Sequence, residues 1–83
     1  MRHYDLYLEL ITPEGILYSG PVGLVDVPGA AGRFTILREH GAIISTLKNG
    51  FIRVIGKDSV ERRFNCNGGG VVECVDNHVT ILM

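Results

Sequence analysis

The stretch V25-D-V-P-G-A-A-G-R-F-T-I-L-R-E-H-G-A-I43 decides how the chain is read. It sets a glycine-and-alanine loop between apolar runs. A phosphate-binding glycine loop works by aiming backbone N–H groups from the start of a helix. Here Val27-Pro28-Gly29-Ala30-Ala31-Gly32 is followed by Arg33-Phe34-Thr35-Ile36, whose aromatic and β-branched residues favour a strand, and no Gly-Lys-Ser/Thr ending is present. The stretch therefore reads as strand, turn, strand, and not as a nucleotide cradle.

Outward from it, the same pattern repeats. Leu6, Leu8 and Leu10 alternate with Tyr7, Glu9 and Ile11, a period of two that turns one face inward. Thr12-Pro13-Glu14-Gly15 supplies a tight turn. Ile16–Ser19 and Val22–Val27 read as two strands separated by Gly20-Pro21, since proline cannot continue a central ladder. Ala42–Leu47 has helical periodicity, but Ile43, Ile44 and Thr46 are β-branched and the run is too short to nucleate a helix, so a strand is expected.

Asn49-Gly50 is the strongest hairpin signal and is expected to pair the runs on either side of it. Gly56–Ser59 turns into Val60–Cys66, with Arg62 and Arg63 on an edge or solvent face, and Asn67–Gly70 reverses into Val71–Val75. Asp76-Asn77 closes a last hairpin with Val79–Met83. The count predicts an all-β chain: one domain over residues 1–83, an antiparallel two-sheet β-sandwich of about nine or ten short strands.

Composition narrows the function. The 83 residues carry a formal charge of -1 with both signs interspersed, which gives no footprint for nucleic acid or anionic lipid. No apolar run approaches the ~20 residues of a membrane span. His3, His40 and His78 are scattered, so no metal site is expected. Cys66 and Cys74 flank the Asn67–Gly70 reversal at unequal distances, roughly 10 Å out of step along a strand. A disulfide tolerates Cα separations below about 7 Å, so two buried thiols are expected instead. No serine or cysteine has the setting of an activated nucleophile, which favours a binding module without cofactor over an enzyme.

In order and spacing, several motifs resemble one family. Leu10-Ile11-Thr12-Pro13-Glu14-Gly15, Val25-Asp26-Val27-Pro28-Gly29, Gly32-Arg33-Phe34-Thr35-Ile36-Leu37, Leu47-Lys48-Asn49-Gly50, Gly68-Gly69-Gly70-Val71-Val72-Glu73 and Val79-Thr80-Ile81-Leu82 are together similar to the N-terminal β-sandwich domain of the F-type ATP synthase epsilon chain. The resemblance implies a non-catalytic rotor subunit of the central stalk. It would dock on the gamma subunit and the c-ring, couple proton flow to ATP synthesis, and lie peripherally on the cytoplasmic face of a bacterial inner membrane without lipid contact.

On that basis the contact loop is expected at Gly29, Ala30, Ala31, Gly32 and Arg33 with Arg38, Glu39 and His40, the small residues letting a partner backbone approach. Whether gamma or the ring meets which loop stays open, as does an ordinary turn at 28–32 that touches nothing. The chain departs from the family where prolines usually flank the histidine, which here stands in Arg38-Glu39-His40-Gly41-Ala42-Ile43. It stops at Met83, where relatives continue into a helical hairpin, so neither intrinsic inhibition nor ATP binding is expected. A stand-alone module binding carbohydrate or peptide is the alternative; it would need an exposed aromatic platform, for which Tyr4, Tyr7 and Tyr18 are the candidates.

Overall fold

The computed structural model describes residues 5–83, and all regular structure among them is strand. The eight strands are β1 (Leu6–Thr12), β2 (Gly15–Gly29), β3 (Gly32–Ile36), β4 (Ile43–Leu47), β5 (Gly50–Gly56), β6 (Glu61–Cys66), β7 (Gly70–Val75) and β8 (His78–Leu82). Hydrogen bonding follows the order β1-β8-β7-β4-β2-β5-β6, β3 adds to β2, and β1 also pairs β2, so the path returns on itself.

The count falls to eight because the two runs around Gly20-Pro21 are one fifteen-residue strand. Pro21 sits opposite Tyr7, whose N–H donates to Asn77 O at 2.8 Å on the other flank of β1. Tyr7 and Pro21 are thus a pair whose ladder groups point away from each other. The nitrogen of Pro21 faces outward, before the β5 ladder begins at Val22, and its missing donor breaks no bond to β1.

That long strand joins the two layers. Its first half pairs with β1 and its second with β5 and β3, the register slipping at Gly23 where a bulge bends it. One layer is β1, β8, β7 and β4, the other β3, β5 and β6, and β2 serves both. The expected all-antiparallel arrangement is broken once: β1 and β8 run parallel, Leu8 beside Val79 and Leu10 beside Ile81.

The core lies between the layers and follows the period-two pattern. Leu6, Leu8, Leu10, Val79 and Ile81 face Val25, Val27, Ile36, Ile52 and Val54, every one of them 0–1% exposed. Phe34 packs against this cluster from the rim and is only partly buried. Cys66 and Cys74 belong to the cluster as free thiols.

Two expected hairpins are absent. Asn49-Gly50 does not pair β4 with β5: β4 pairs β7 and touches β2, while β5 pairs β2 and β6. Residues 67–69 likewise carry the chain from β6, on β5, to β7, between β4 and β8. Both turns are crossings between layers. A turn sequence fixes a local reversal only, and the partner of each strand is set by which apolar faces close the core.

Candidate partner-contact surface

The β2–β3 hairpin carries the first group of expected contact residues. Val27 pairs with Phe34, Pro28 with Arg33 and Gly29 with Gly32, leaving Ala30-Ala31 as an exposed two-residue tip. Gly29 is buried, and a Cβ there would lie 2.6 Å from Gly32 O and 2.8 Å from the Phe34 ring. Its lack of a side chain makes room for Phe34. The tip is clipped to the neighbouring strand, Ala30 N–H donating to Thr46 O and Lys48 N–H to Pro28 O, each at 2.9 Å.

Arg33 reaches sideways across its own sheet. Its Nη2 donates to Phe51 O at 2.7 Å, lies 3.5 Å from Asp26 Oδ2, and its guanidinium stacks 3.9 Å from the Phe51 ring centroid. Arg63 covers the same ring at 4.5 Å, and Arg53 bridges Asp26 and Glu61. This arginine therefore braces β3, β2 and β5 together, while a third of its side chain stays exposed. Hydrogen bonds from Arg63, first, and Arg53 hold the Glu61 carboxyl below its ordinary range.

Arg38, Glu39 and His40 lie in the β3–β4 loop, beyond the other end of β3. At the usual strand rise, Arg33 and Leu37 are about 13 Å apart, so the eight residues form two groups at opposite ends of one strand. The loop turns back on itself through His40 N–H to Leu37 O at 3.1 Å. Glu39 has φ 68°, a left-handed backbone, and its N–H donates to Asn77 Oδ1 at 2.6 Å. Asn77 Nδ2 donates in return to Glu39 Oε2 at 3.1 Å.

Sequence reasoning missed Asp26, Phe51 and Asn77. Asp-Asn at 76–77 was legible as hairpin turn chemistry, yet its bond to Glu39 spans 38 residues and has no local signal. Among the described residues, Asn77 is the only buried polar side chain.

Other features speak to chemistry. Burial pushes both thiols above their ordinary pKa, offset in part at Cys66 by a hydrogen bond from the Gly69 backbone. Neither is poised as a nucleophile. Among the described residues, no three metal-ligating side chains converge, and no helix is long and apolar enough to cross a membrane. His3 and Tyr4 lie outside the described residues. Tyr7 faces outward, its hydroxyl 3.1 Å from Ser19 Oγ, whereas Tyr18 packs toward the core rim, edge-on to Phe64. The two rings share no platform.

The family described as the ATP synthase delta/epsilon chain β-sandwich domain matches residues 5–83. The ATP synthase epsilon chain of Campylobacter hominis is 38% identical over 77 residues, covering 93% of this chain and 59% of the relative. That of Rhodospirillum centenum is 42% identical over 79 residues, covering 93% and 53%. The chain spans about half the length of these curated relatives. In the solved Euglena gracilis mitochondrial ATP synthase (OSCP/F1/c-ring), one chain superposes with a TM-score of 0.89 at 18% identity, over 100% of this chain and 52% of that one. A chain of the Tetrahymena thermophila mitochondrial ATP synthase central stalk and c-ring gives 0.80 at 18%, over 99% and 65%. At such identity these two matches speak to the fold.

Proposed function

The chain belongs to the ATP synthase delta/epsilon chain β-sandwich family, and from that premise we propose that it is a central-stalk rotor subunit of a proton-translocating F-type ATP synthase. In this reading it docks on the gamma subunit and the c-ring and couples proton flow to ATP synthesis. It holds no reacting group and sits peripherally on the cytoplasmic face of a bacterial inner membrane. The family match over nearly the whole chain carries the reading.

Physical reasons support it. A part that passes torque between neighbours has to resist shear, and here the hydrogen-bonded path closes through β2 while the 30–31 tip is clipped to β4. The exposed Ala30-Ala31 tip and the 38–40 loop are the contact segments. Arg33 offers a partner only the part of its guanidinium that Phe51 and Asp26 leave uncovered.

Reconstitution tests this directly. The chain is expected to co-purify with the gamma subunit and c-ring of its own source, and to raise ATP-driven proton pumping in membranes depleted of it. A chain that is not retained by gamma, with pumping unchanged on its addition, overturns the proposal.

A further inference from the structure

We infer that Asn77 is a positioning residue for partner docking: it clamps Glu39, and through it the Arg38–His40 loop, in the conformation that a partner subunit meets. The inference rests on the reading of that loop as a contact segment.

The observations converge on one side chain. Between Ile36 and Ile43 the loop has no strand partner, and its internal ties are short-range: His40 N–H to Leu37 O, and His40 Nδ1 with Gly41 O at 2.8 Å. Glu39, in the middle, holds a left-handed backbone that a non-glycine residue adopts only when its surroundings enforce it. The enforcing contacts are the reciprocal pair with Asn77, one from the Glu39 backbone and one to its carboxylate.

Asn77 is itself fixed. It occupies the second position of the two-residue β7–β8 turn, where Asp76 and Asn77 have φ 50° and 66°, the signature of a type I′ hairpin. Its backbone O accepts Tyr7 N–H, so the same residue is anchored to β1 and to the β7–β8 hairpin while its amide reaches the loop. A buried amide with both ends satisfied is rigid, and no buried side-chain polar atom among the described residues lacks a partner. The turn alone would accept glycine at this position. The amide side chain is what binds the loop.

That distinction supplies the test. Asn77→Gly keeps the turn and removes the clamp. In the free chain, the Asn77→Gly variant should remain folded and its Glu39 amide should exchange with solvent about tenfold faster or more, while core amides of β1 and β8 are unchanged. Its affinity for the gamma subunit and c-ring should fall about tenfold, the worth of one hydrogen bond to a charged group.

Unaltered Glu39 exchange in Asn77→Gly overturns the clamp itself. Faster exchange with undiminished affinity overturns the positioning role. A wild-type chain that holds neither partner removes the contact-loop reading and this inference with it, and the exchange measurement on the free chain tells that failure apart from failure of the clamp.

Discussion

Asn49 Oδ1 accepts the backbone N–H of Gly68 at 2.6 Å, tying together the two turns at which the chain crosses between layers. Residues 48–49 lead from β4 into β5 and residues 67–69 lead from β6 back into β7, so one side chain links the outgoing and returning crossings. Gly68 takes φ 85°, which presents its N–H to Asn49 without a side chain to strain.

Asn49→Ala removes that acceptor and leaves an exposed N–H for water to satisfy. Equilibrium urea unfolding should show a loss of about 1 kcal/mol with an unchanged m-value. A wild-type midpoint would mean that the crossings hold without the bond.

Gly29→Ala should cost more. The added methyl meets Gly32 O and the Phe34 ring, and overpacking of this kind costs about 1–3 kcal/mol. Phe34→Ala should cost about 3 kcal/mol, the lower end of the range for a fully buried phenylalanine, because this ring is only partly buried. Combining them relieves the clash with the ring, so the double variant should be more stable than the sum of the two losses predicts. Strict additivity in thermal melts would show that the ring is not what the methyl meets.

Arg33 and His40 should separate. Arg33→Ala loses the stack on Phe51 and the bond to Phe51 O, a change of about 1 kcal/mol for a partly exposed group. His40→Ala loses a short-range contact within its loop and should melt with the wild type. Differential scanning calorimetry of the two variants decides it, equal melting temperatures being the contrary result.

The thiols make a pH prediction. Burial raises their folded pKa above the unfolded value, so the native state favours the protonated form. Their contribution to stability is whole below the unfolded value of about 8.5 and is lost as pH rises through the folded pKa. At pH 8, alkylation of Cys66 and Cys74 by iodoacetamide should follow unfolding, and mass spectrometry should find both thiols unlabelled while the domain is folded. Rapid labelling of the native chain is the opposing outcome.

Much of the sandwich was legible locally. Alternation at Leu6, Leu8 and Leu10, β-branching at Ile43, Ile44 and Thr46, and turn chemistry at Thr12–Gly15 and Asp76-Asn77 each act within a few residues, and each element is where it was expected. Family membership was legible in the order and spacing of short motifs. The braces of the candidate surface were not, because Arg33 with Phe51 and Glu39 with Asn77 join residues 18 and 38 positions apart.

By itself, then, the amino-acid order determined which segments are strands, which residues turn inward, and that no helix-borne phosphate loop follows Gly32. Tertiary structure alone decided that Gly20-Pro21 lies inside one strand, that Asn49-Gly50 and 67–69 cross between layers, and that β1 and β8 run parallel. The reason is one of range. Backbone preference and side-chain alternation are settled between near neighbours, whereas strand pairing is settled by closing a single core, to which every apolar face contributes at once.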